Sequence, residues 1–454
     1  MSSLAKVLIA NRGEIAVRVI RTCRKMGLRT VAVFSDADAN SPHVRLADES
    51  YHLGPSNPLK SYLNLDRLAE AIEKTKADLV HPGYGFLAEN AEFAKMVTRL
   101  GATWVGPPGD LMDKLASKTY SRKMAREAGI PIIPGTLEPI SAHELEQVAH
   151  QIGFPMLIKP DRGGGGKGTK LIKSPEELTT EAFSSAAREA QYGFGRPDLY
   201  VERLLEKPRH IEVQVIADGS GNVYALGERE CTIQRRYQKI IEEAPSPVIS
   251  DRDRLHIYDL AKRYAGKIGY VNAGTVEMLR DSSGEFYFLE MNKRIQVEHP
   301  VTELTTGLDI VELQLRVALG EELPLKTDMK PVGHAIECRI YAEDPKTFMP
   351  SPGKITEFSA QQDGFTRLDH ALEPGIIIPP YYDPLIAKAI SYGDTREVSR
   401  IRMVEYLKNL RIEGVKTNIP FLTALLGSRN FIEGDFYTNW VNEVLENGGF
   451  NISS

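Results

Sequence analysis

The chain has 454 residues, too many for a single hydrophobic core, and this length predicts about three domains. Its 56 Lys and Arg residues against 61 Asp and Glu residues give a net charge of −5, which offers no general attraction to nucleic acid or to an anionic membrane, so any anion must be bound locally. The three cysteines are odd in number and widely separated, which excludes a disulfide framework or a zinc-binding spacing and favours a reducing compartment.

The amino terminus carries no apolar signal region, and no apolar run approaches the length of a membrane span. We therefore expect a soluble protein of the cytoplasm that has neither a nucleic-acid nor a membrane partner.

Residues 1–115 alternate short apolar runs with amphipathic stretches. The pattern predicts strands at 6–10, 30–34, 77–81 and 103–106 and helices at 14–26 and 66–76. Strands separated by helices indicate a parallel sheet, in which ligands gather at the carboxyl ends of the strands. The first turn, Asn11 to Glu14, lacks the three-glycine fingerprint of dinucleotide-binding folds, so a nicotinamide cofactor is not supported.

A small lobe is predicted at about residues 135–203, because two strands, 154–159 and 169–173, flank the run Gly163 to Gly168. Consecutive glycines let backbone amides approach a phosphate without obstruction by side chains. The run is not a P-loop, because Lys167 precedes Gly168 and a strand follows. A flexible linker is the alternative, but a linker does not usually lie between two β-rich runs, so we favour phosphate binding.

The chain from residue 204 onward is predicted to be α+β. Alternation indicates strands at 208–215 and 224–229, and a helical pattern covers 251–268. Residues 333–445 form a last unit of short strands with a helix at 397–407. No internal repeat, heptad pattern or low-complexity tract is present.

The most informative run is Phe288 to Glu303, because after an apolar start it places polar residues at every second position. In a strand these side chains share one face, and the members of the series are Glu290, Asn292, Arg294, Gln296 and Glu298. Burying charge without partners is costly, so this face must contact solvent, a metal or a charged substrate. A solvated edge is the alternative, but we interpret the run as a ligand-binding strand.

A second strand, 275–280, precedes this run, and Asp281 to Gly284 form the turn between them. Pairing of Arg280 with Glu285 would bring Glu277 onto the same face as Glu290, where the two carboxylates and Asn292 could bind one hard cation such as Mg²⁺. A register slip of one residue would move Glu277 to the other face. An ion pair between Glu277 and a neighbouring arginine remains the alternative for that residue.

Ordered motifs along nearly the whole chain resemble the biotin carboxylases, which are members of the ATP-grasp superfamily. The matching segments are residues 10–16, 81–87, 163–166, 231–236, 239–245, 290–303, 333–340 and 379–383. The resemblance implies an ATP-grasp fold of mixed α/β and α+β class, with an amino-terminal parallel-sheet domain at 1–115, an ATP-grasp domain at 116–330 and a carboxyl-terminal α+β domain at 331–446. The glycine-rich lobe at about 135–203 would be a lid that closes over ATP.

The resemblance also assigns nucleotide and metal ligands. ATP would be bound by Lys118, Lys159, Gly164, Gly165, Gly166, Glu202, Arg203, Leu204, Leu205, His210, Gln234, Tyr237, Glu277, Leu279 and Glu290. Mg²⁺ or Mn²⁺, with two ions expected, would be held by Glu277, Glu290 and Asn292. Lys118 taken alone is a solvated helix residue, and only its position in the family pattern gives it this role.

The second substrate implied is bicarbonate, bound by Lys239, Arg294, Gln296 and the Val297 backbone. Glu298, kept ionised next to Arg294, would act as the general base. Biotin would contact Tyr84 and Arg339, and Arg339 would stabilise the biotin anion. The catalytic residues would thus be Arg294, Glu298, Lys239 and Arg339.

Two of these assignments have structural alternatives. Arg339 could instead pair with Glu337 or Asp344. Tyr84, like its neighbour Glu89, could serve only to pack a turn. The chain also departs from the family pattern at Tyr237, near the expected ribose, and at Tyr341, near the expected biotin pocket. Neither position touches the residues expected to bind bicarbonate or metal.

No Ala-Met-Lys-Met biotin attachment sequence occurs in the chain, so biotin is expected on a separate carrier protein. The resemblance implies a homodimer that works with carboxyltransferase subunits, in acetyl-CoA carboxylase or else in a pyruvate or 2-oxo-acid carboxylase. Two rival functions remain: an ATP-grasp ligase of the carbamoyl phosphate synthetase type, and a nucleotide-binding module without turnover.

Overall fold

The computed structural model describes residues 4–164, 168–450 and 452. Its amino-terminal part contains the predicted parallel sheet, with five strands in the order β3-β2-β1-β4-β5. The elements are β1 (Lys6–Ile9), α1 (Gly13–Lys25), β2 (Arg29–Ser35), α2 (Pro42–Leu46), β3 (Glu49–Gly54), α3 (Leu65–Thr75), β4 (Leu79–His81), α4 (Ala91–Arg99), β5 (Thr103–Trp104) and α5 (Gly109–Leu115). Strand β3 and helices α2, α4 and α5 were not among the predicted elements.

Two loops meet at the carboxyl edge of this sheet, after β1 and β4. The Asn11 side chain donates hydrogen bonds to the carbonyls of Pro82 (2.8 Å) and Tyr84 (2.7 Å). Gly83 has φ +60°, and a Cβ there would lie 3.0 Å from the side chains of Asn11 and Ile15. The close approach of the two loops therefore requires glycine at this position.

The predicted lobe is a three-stranded antiparallel sheet in the order β7-β6-β8, covered by two helices. Helix α6 (Lys118–Glu127) precedes the lobe, whose elements are α7 (Leu145–Ile152), β6 (Met156–Pro160), β7 (Lys170–Ile172), α8 (Thr180–Phe194) and β8 (Leu199–Arg203). Gly165, Gly166 and Lys167 lie outside the described residues, so the predicted phosphate contact of the two glycines has no structural account.

The largest sheet has eight strands in the order β13-β12-β9-β10-β11-β14-β19-β17. The elements between the lobe and residue 330 are β9 (Arg209–Ala217), β10 (Val223–Arg235), β11 (Gln238–Ala244), α9 (Asp251–Lys267), β12 (Asn272–Arg280), β13 (Phe286–Asn292), α10 (His299–Thr306) and α11 (Ile310–Ala318). Apolar residues of α9 pack on one face of this sheet, and α1 and α11 pack against its other face. The amino-terminal part thus covers the same sheet face as α10.

The carboxyl-terminal part continues this sheet, because β14 pairs with β11 across the predicted boundary near residue 330. Its elements are β14 (His334–Tyr341), β15 (Gly353–Lys354), β16 (Glu357–Ser359), β17 (Thr366–His370), β18 (Ile377–Ile378), β19 (Leu385–Gly393), α12 (Arg396–Asn409), β20 (Arg411–Glu413), α13 (Ile419–Leu426), α14 (Arg429–Glu433) and α15 (Trp440–Glu446). The sequence pattern predicted one helix here, but the core is closed by four. Within the described parts of the chain, no helix is long and apolar enough to cross a membrane.

The predicted pairing of the β12–β13 hairpin is wrong by one residue. Asp281 accepts hydrogen bonds from the amides of Ser283 and Glu285, so its loop is longer than expected and Arg280 pairs with Phe286. A register shift between Met278 and Glu277 corrects the difference, and Glu277 lies directly opposite Glu290. The two carboxylates therefore do lie together, as predicted, because of a bulge that the sequence pattern did not reveal.

The prediction of one continuous strand as far as Glu298 is also wrong. Strand β13 ends at Asn292, and residues 293–298 form an irregular segment before α10 begins at His299. The alternating polar residues of this segment lie in a loop and not in a strand. Their side chains contact one another directly, since Arg294 donates hydrogen bonds to Asn292 and Gln296.

Candidate active site

A row of charged side chains crosses four neighbouring strands of the large sheet. In the strand register Arg229 faces Glu212, Glu212 faces Glu277, and Glu277 faces Glu290. Cross-strand neighbours lie close enough to interact directly. Arg229 is fully buried and donates to Glu212 as well as to Gln214 at 2.8 Å. The sheet thus presents one cation and three carboxylates in a line.

Lys239 on β11 joins this row to the loop after β13. Its ammonium group donates to Glu212 (2.7 Å), Glu277 (2.8 Å) and Glu298 (2.7 Å). Burial alone would lower the pKa of Lys239, but the surrounding carboxylates raise it well above its usual value. Lys239 is therefore a cation with every N–H engaged.

Glu298 is fully buried between two cations. One carboxylate oxygen accepts from Lys239, and the other accepts from Arg339 at 2.9 Å. Burial would raise the pKa of Glu298, but Lys239, Arg339 and Arg229 lower it well below its usual value. The prediction that Arg294 keeps this carboxylate ionised is wrong, because the neighbouring cations come from other strands.

Arg294 instead organises the irregular segment. Its guanidinium donates to Asn292 (2.8 Å) and Gln296 (2.6 Å), and its Nε lies 3.0 Å from Glu89. Gln296 in turn donates to Glu277 at 3.1 Å. Glu89, for which turn packing was the alternative role, thus contacts a predicted bicarbonate residue.

The predicted metal ligands have the features of a hard-cation site. The pKa values of Glu277 and Glu290 are moved in opposite directions. Burial would raise that of Glu277, but Lys239 and His210 lower it, whereas burial and the charge of Glu277 raise that of Glu290. The buried amide nitrogen of Asn292 has no hydrogen-bond partner among the described residues. Two facing carboxylates and an amide oxygen fit Mg²⁺ or Mn²⁺.

A second group of metal-type ligands lies beside these residues. One ligand atom from each of His210, Glu212 and Glu277 lies within 4.8 Å of the others. The buried Nε2 of His210 has no hydrogen-bond partner within the described ranges. In this arrangement the Lys239 ammonium group already compensates two of these carboxylates, because it donates hydrogen bonds to Glu212 and Glu277.

The residues predicted to bind ATP divide into two groups. Near the lobe, Lys159 donates to Glu202 at 2.7 Å, and Arg122 donates to the same buried carboxylate at 3.0 Å. Lys118 donates to the Gly163 carbonyl, and burial lowers its pKa. Gly164 is open, because a Cβ there would meet no atom within 4 Å. Arg203 is exposed, and Leu204 and Leu205 are half-buried in the connection to β9.

The second group lies on the central strands. His210 and Gln234 are in hydrogen-bond contact, with 3.2 Å between Nδ1 and Nε2. Leu279 faces His210 in the register of β12 and β9. Tyr237 does not join them, because it is 80% exposed at the tip of the β10–β11 hairpin.

Of the two predicted biotin residues, Arg339 is in contact with Glu298. Arg339 donates to Glu242 at 2.6 Å and to Glu298, so it pairs with neither Glu337 nor Asp344, the alternatives suggested by the sequence. The Tyr84 ring is 5.6 Å from the Lys388 ammonium group. Tyr341 is buried in the carboxyl-terminal core.

Sequence reasoning did not single out Glu212 or Arg229, although both are at the centre of the site. A usable signal was present, because His210, Glu212 and Gln214 alternate along β9 and therefore share one face. Polar residues at every second position of β9, a strand otherwise rich in Ile and Val, indicate that one face of this strand also lines the site.

Three family models match successive parts of the chain. They are the biotin carboxylase N-terminal domain at residues 3–112, the ATP-binding domain of the carbamoyl-phosphate synthase L chain at 117–326, and the biotin carboxylase C-terminal domain at 337–443.

Curated relatives match over nearly the whole chain. Biotin carboxylase 2 of Bacillus subtilis is 46% identical over 97% of this chain and 99% of its own length. The biotin carboxylase of Haemophilus influenzae is 46% identical over 97% of this chain and 99% of its own length. One subunit of the pyruvate carboxylase of Methanothermobacter thermautotrophicus is 47% identical over 97% of this chain and 90% of its own length.

Solved structures agree. The biotin carboxylase domain dimer of Hydrogenobacter thermophilus 2-oxoglutarate carboxylase, in complex with MgADP, ADP and bicarbonate, has a TM-score of 0.93 at 43% identity and covers 98% of each chain. A biotin carboxylase complex from Campylobacter jejuni has a TM-score of 0.94 at 39% identity over 97% of this chain and 99% of its own. The predicted family and fold are confirmed: the chain belongs to the biotin carboxylases, ATP-dependent ligases built on the ATP-grasp fold.

Proposed function

We propose that this chain catalyses the ATP- and bicarbonate-dependent carboxylation of biotin carried on a separate protein. The observation that carries the proposal is the buried Glu298, held as a carboxylate between Lys239 and Arg339. A general base must be unprotonated and within reach of the proton that it removes. Family membership at 46% identity over the whole chain supports the same reaction.

The irregular segment supplies the anion site in this proposal. Arg294 and Gln296 present a guanidinium and an amide to bicarbonate, together with the Val297 backbone. Lys239 already donates three hydrogen bonds to carboxylates, so it binds bicarbonate directly only by exchanging one of them. Its constant role is to keep Glu298 ionised and oriented.

The reaction begins when Glu298 accepts the bicarbonate proton and a bicarbonate oxygen attacks the γ-phosphorus of ATP. Carboxyphosphate forms and ADP leaves. Carboxyphosphate then yields CO₂ and phosphate, and phosphate removes the proton from the ureido nitrogen of biotin. Arg339 stabilises the resulting biotin anion, whose ureido nitrogen then attacks CO₂ to form carboxybiotin, and Tyr84 would contact the biotin.

Lys118 and Lys159 would neutralise the ATP phosphates, with the glycine lobe closing over them. The connection from Glu202 to Leu205 would contact adenine, and His210 and Gln234 the ribose. Mg²⁺ or Mn²⁺ would be held by Glu277, Glu290 and Asn292, and it would neutralise charge on the transferred phosphoryl group. The facing carboxylates of Glu277 and Glu290 support this set.

The parent complex that we propose is acetyl-CoA carboxylase, with a biotin carrier and carboxyltransferase subunits as partners. A pyruvate or 2-oxo-acid carboxylase is the alternative, because one similar chain belongs to a pyruvate carboxylase and one similar structure comes from a 2-oxoglutarate carboxylase. We further propose a homodimer, since the latter structure is a dimer. We also propose the cytoplasm as its location, as expected from the sequence.

The second candidate function is a ligase of the carbamoyl phosphate synthetase type, because the family model at residues 117–326 carries that name. The flanking biotin carboxylase models at 3–112 and 337–443 favour biotin carboxylation.

The test is ATP hydrolysis by the purified chain with bicarbonate, with and without free biotin or ammonia. We expect dependence on bicarbonate and stimulation by biotin. Ammonia-dependent turnover would support the rival ligase, and no turnover would support a nucleotide-binding module. Incubation with acetyl-CoA or pyruvate and candidate carrier and transferase subunits then identifies the complex.

A further inference from the structure

Lys388 is a fully buried lysine on β19 that none of the roles above uses. In the strand register it faces Arg339 on β14 and Asp369 on β17. Facing residues in adjacent strands point to the same side of the sheet, so Lys388 lies on the side that carries Arg339. Burying a lysine is costly unless its charge is compensated, and such a residue calls for an explanation.

Lys388 contacts the irregular segment, residues 293–298, which is proposed to bind bicarbonate. Its ammonium group donates a hydrogen bond of 2.7 Å to the carbonyl oxygen of Val297. The nearest carboxylate oxygens belong to Glu14, at 3.5 Å, and Asp369, at 4.0 Å. Asp369 already accepts two bonds from Arg367, whereas neither oxygen of Glu14 has a hydrogen-bond partner among the described residues.

The Val297 carbonyl is a sensitive point, because residues 293–298 belong to no strand or helix. No ladder of backbone bonds fixes this segment, so individual side-chain contacts must do so. A peptide unit is planar, and fixing the Val297 oxygen therefore also fixes the Glu298 nitrogen and the start of the Glu298 side chain. The donor on that oxygen comes from the carboxyl-terminal part of the chain, about ninety residues away in sequence.

We propose that Lys388 is a positioning residue that orients the Val297–Glu298 peptide for bicarbonate binding and proton removal. The inference rests on the proposed function, since it assigns Lys388 to the site where bicarbonate would bind. Lys388 does not touch substrate. It acts through the backbone that carries the proposed base, and Glu14 carries the carboxyl group nearest to its ammonium group.

The test compares the steady-state kinetics of Lys388→Met with those of the wild type. Methionine has a similar length but removes both the donor and the charge. We expect kcat/KM for bicarbonate to fall by about tenfold to a hundredfold, because a small misplacement of reacting groups has effects of this size. The KM for ATP should stay within about twofold, since the ATP residues do not contact Lys388. Lys262→Met, which removes a lysine paired with Asp328 at 2.6 Å, is the matched control.

A purely structural role predicts a different result. It would lower the melting temperature and the active fraction without changing the KM for either substrate, and that result would overturn the proposal. If the wild-type protein itself hydrolysed ATP without any dependence on bicarbonate, the proposed function would be refuted. Failure of the Lys388 proposal and failure of the proposed function are thus distinguishable.

A double variant, Glu14→Gln with Lys388→Met, covers the case in which the single variant does not fold. It removes the unbalanced carboxylate together with the ammonium group, so it should fold more readily. The donor to the Val297 carbonyl is still missing, and we expect the bicarbonate defect to persist. Wild-type bicarbonate kinetics in the double variant would show that charge balance, and not the hydrogen bond, is what matters, and would overturn the proposal.

Discussion

At the scale of single residues, the charge state of Glu298 determines what the site can do. Its carboxylate is shared by cations from β11 and β14, two strands that are far apart in sequence but adjacent in the sheet. Sequence reasoning predicted the base but not its partners, because Arg294 is near in sequence whereas Lys239 and Arg339 are near only in space. Strand order decides such pairs, and local patterns do not report strand order.

The first prediction concerns this carboxylate. Glu298→Gln keeps the shape of the side chain but cannot accept the bicarbonate proton. We expect bicarbonate-dependent turnover to fall by about a hundredfold or more, the range expected when a general base is lost. The KM for ATP should change little, whereas the melting temperature should fall, because Lys239 and Arg339 lose the carboxylate that they share. Glu285→Gln, in the exposed loop of the β12–β13 hairpin, is the control, and an equal loss of ATP binding would assign Glu298 to the nucleotide instead.

The second prediction concerns Arg339, which bridges Glu298 and Glu242. Burial and the neighbouring Glu298 raise the pKa of Glu242 to about 7 although Arg339 opposes them, so removing the guanidinium takes away the cation that these two buried acids share. Arg339→Ala should therefore lower the free energy of unfolding by about 3–5 kcal/mol, as when one partner of a buried pair is lost.

Activity measurements distinguish the two roles of Arg339, which are to stabilise the fold and to stabilise the biotin anion. Lys239 still holds Glu298 in the alanine variant, so slow ATP cleavage without biotin should survive better than the stimulation by biotin. Arg339→Lys restores the charge but cannot bridge both carboxylates as a planar guanidinium does, and it should recover stability more than biotin stimulation. Full biotin stimulation in both variants would contradict the assignment of Arg339 to biotin.

At the scale of elements, strands and helices with a clear apolar period were predictable, whereas many of the other helices and the departures from regularity were not. The periodicity of apolar residues predicted β1, α1, β2 and α9 to within a few residues. The bulge opposite Glu277 and the end of β13 at Asn292 were missed, since polar alternation looks the same in a strand and in a loop whose side chains bond to one another. Both misses fall within the proposed catalytic site, where local regularity is given up for function.

The third prediction belongs to the β10–β11 hairpin. Arg236 and Tyr237 at its tip have φ values of 52° and 65°, a left-handed conformation that is unfavourable for residues other than glycine, asparagine and aspartate. Tyr237→Gly should therefore raise the free energy of unfolding by up to about 1 kcal/mol, measured by thermal or denaturant unfolding.

The same variant tests the nucleotide role predicted for Tyr237. Because the ring is 80% exposed, we expect the KM for ATP to stay within about twofold of the wild-type value. A severalfold rise in that KM would instead indicate that the ring contacts ATP when the lobe closes. An exposed tyrosine distant from the hairpin, Tyr192, provides the matched Tyr192→Gly comparison for KM.

At the scale of the whole molecule, the eight-stranded sheet joins regions that sequence reasoning treated as separate domains. Residues 116–330 and 331–446 remain our proposed domains, yet β11 from the first pairs with β14 from the second along Ile241 to Ala244. The chain length predicted about three domains and the family resemblance supplied their bounds, but chain length and local sequence patterns carry no information on which strands pair. Lys388 and Arg339 reach the site through this shared sheet.

Glu243 is one of the charged residues at this junction. It lies on β11, and its buried carboxylate accepts from His334 on β14 (2.7 Å) and from Arg396 on α12 (2.6 Å). Burial would raise the pKa of Glu243, but His334 and Arg396 lower it from 4.5 to about 2. Since the folded-state pKa lies below the unfolded value, this carboxylate stabilises the fold above about pH 4.5, and the stabilisation is lost as the pH falls toward 2.

The fourth prediction follows from the lowered pKa of Glu243. Glu243→Gln should lower the free energy of unfolding near neutral pH by roughly 3 kcal/mol, the value of the pKa difference, and the deficit should shrink as the pH falls below the unfolded pKa. Denaturant unfolding of wild type and variant at several pH values measures it, with the exposed Glu357→Gln as control. A deficit that does not change with pH would mean that packing, and not the ionised carboxylate, supplies the stability at this junction.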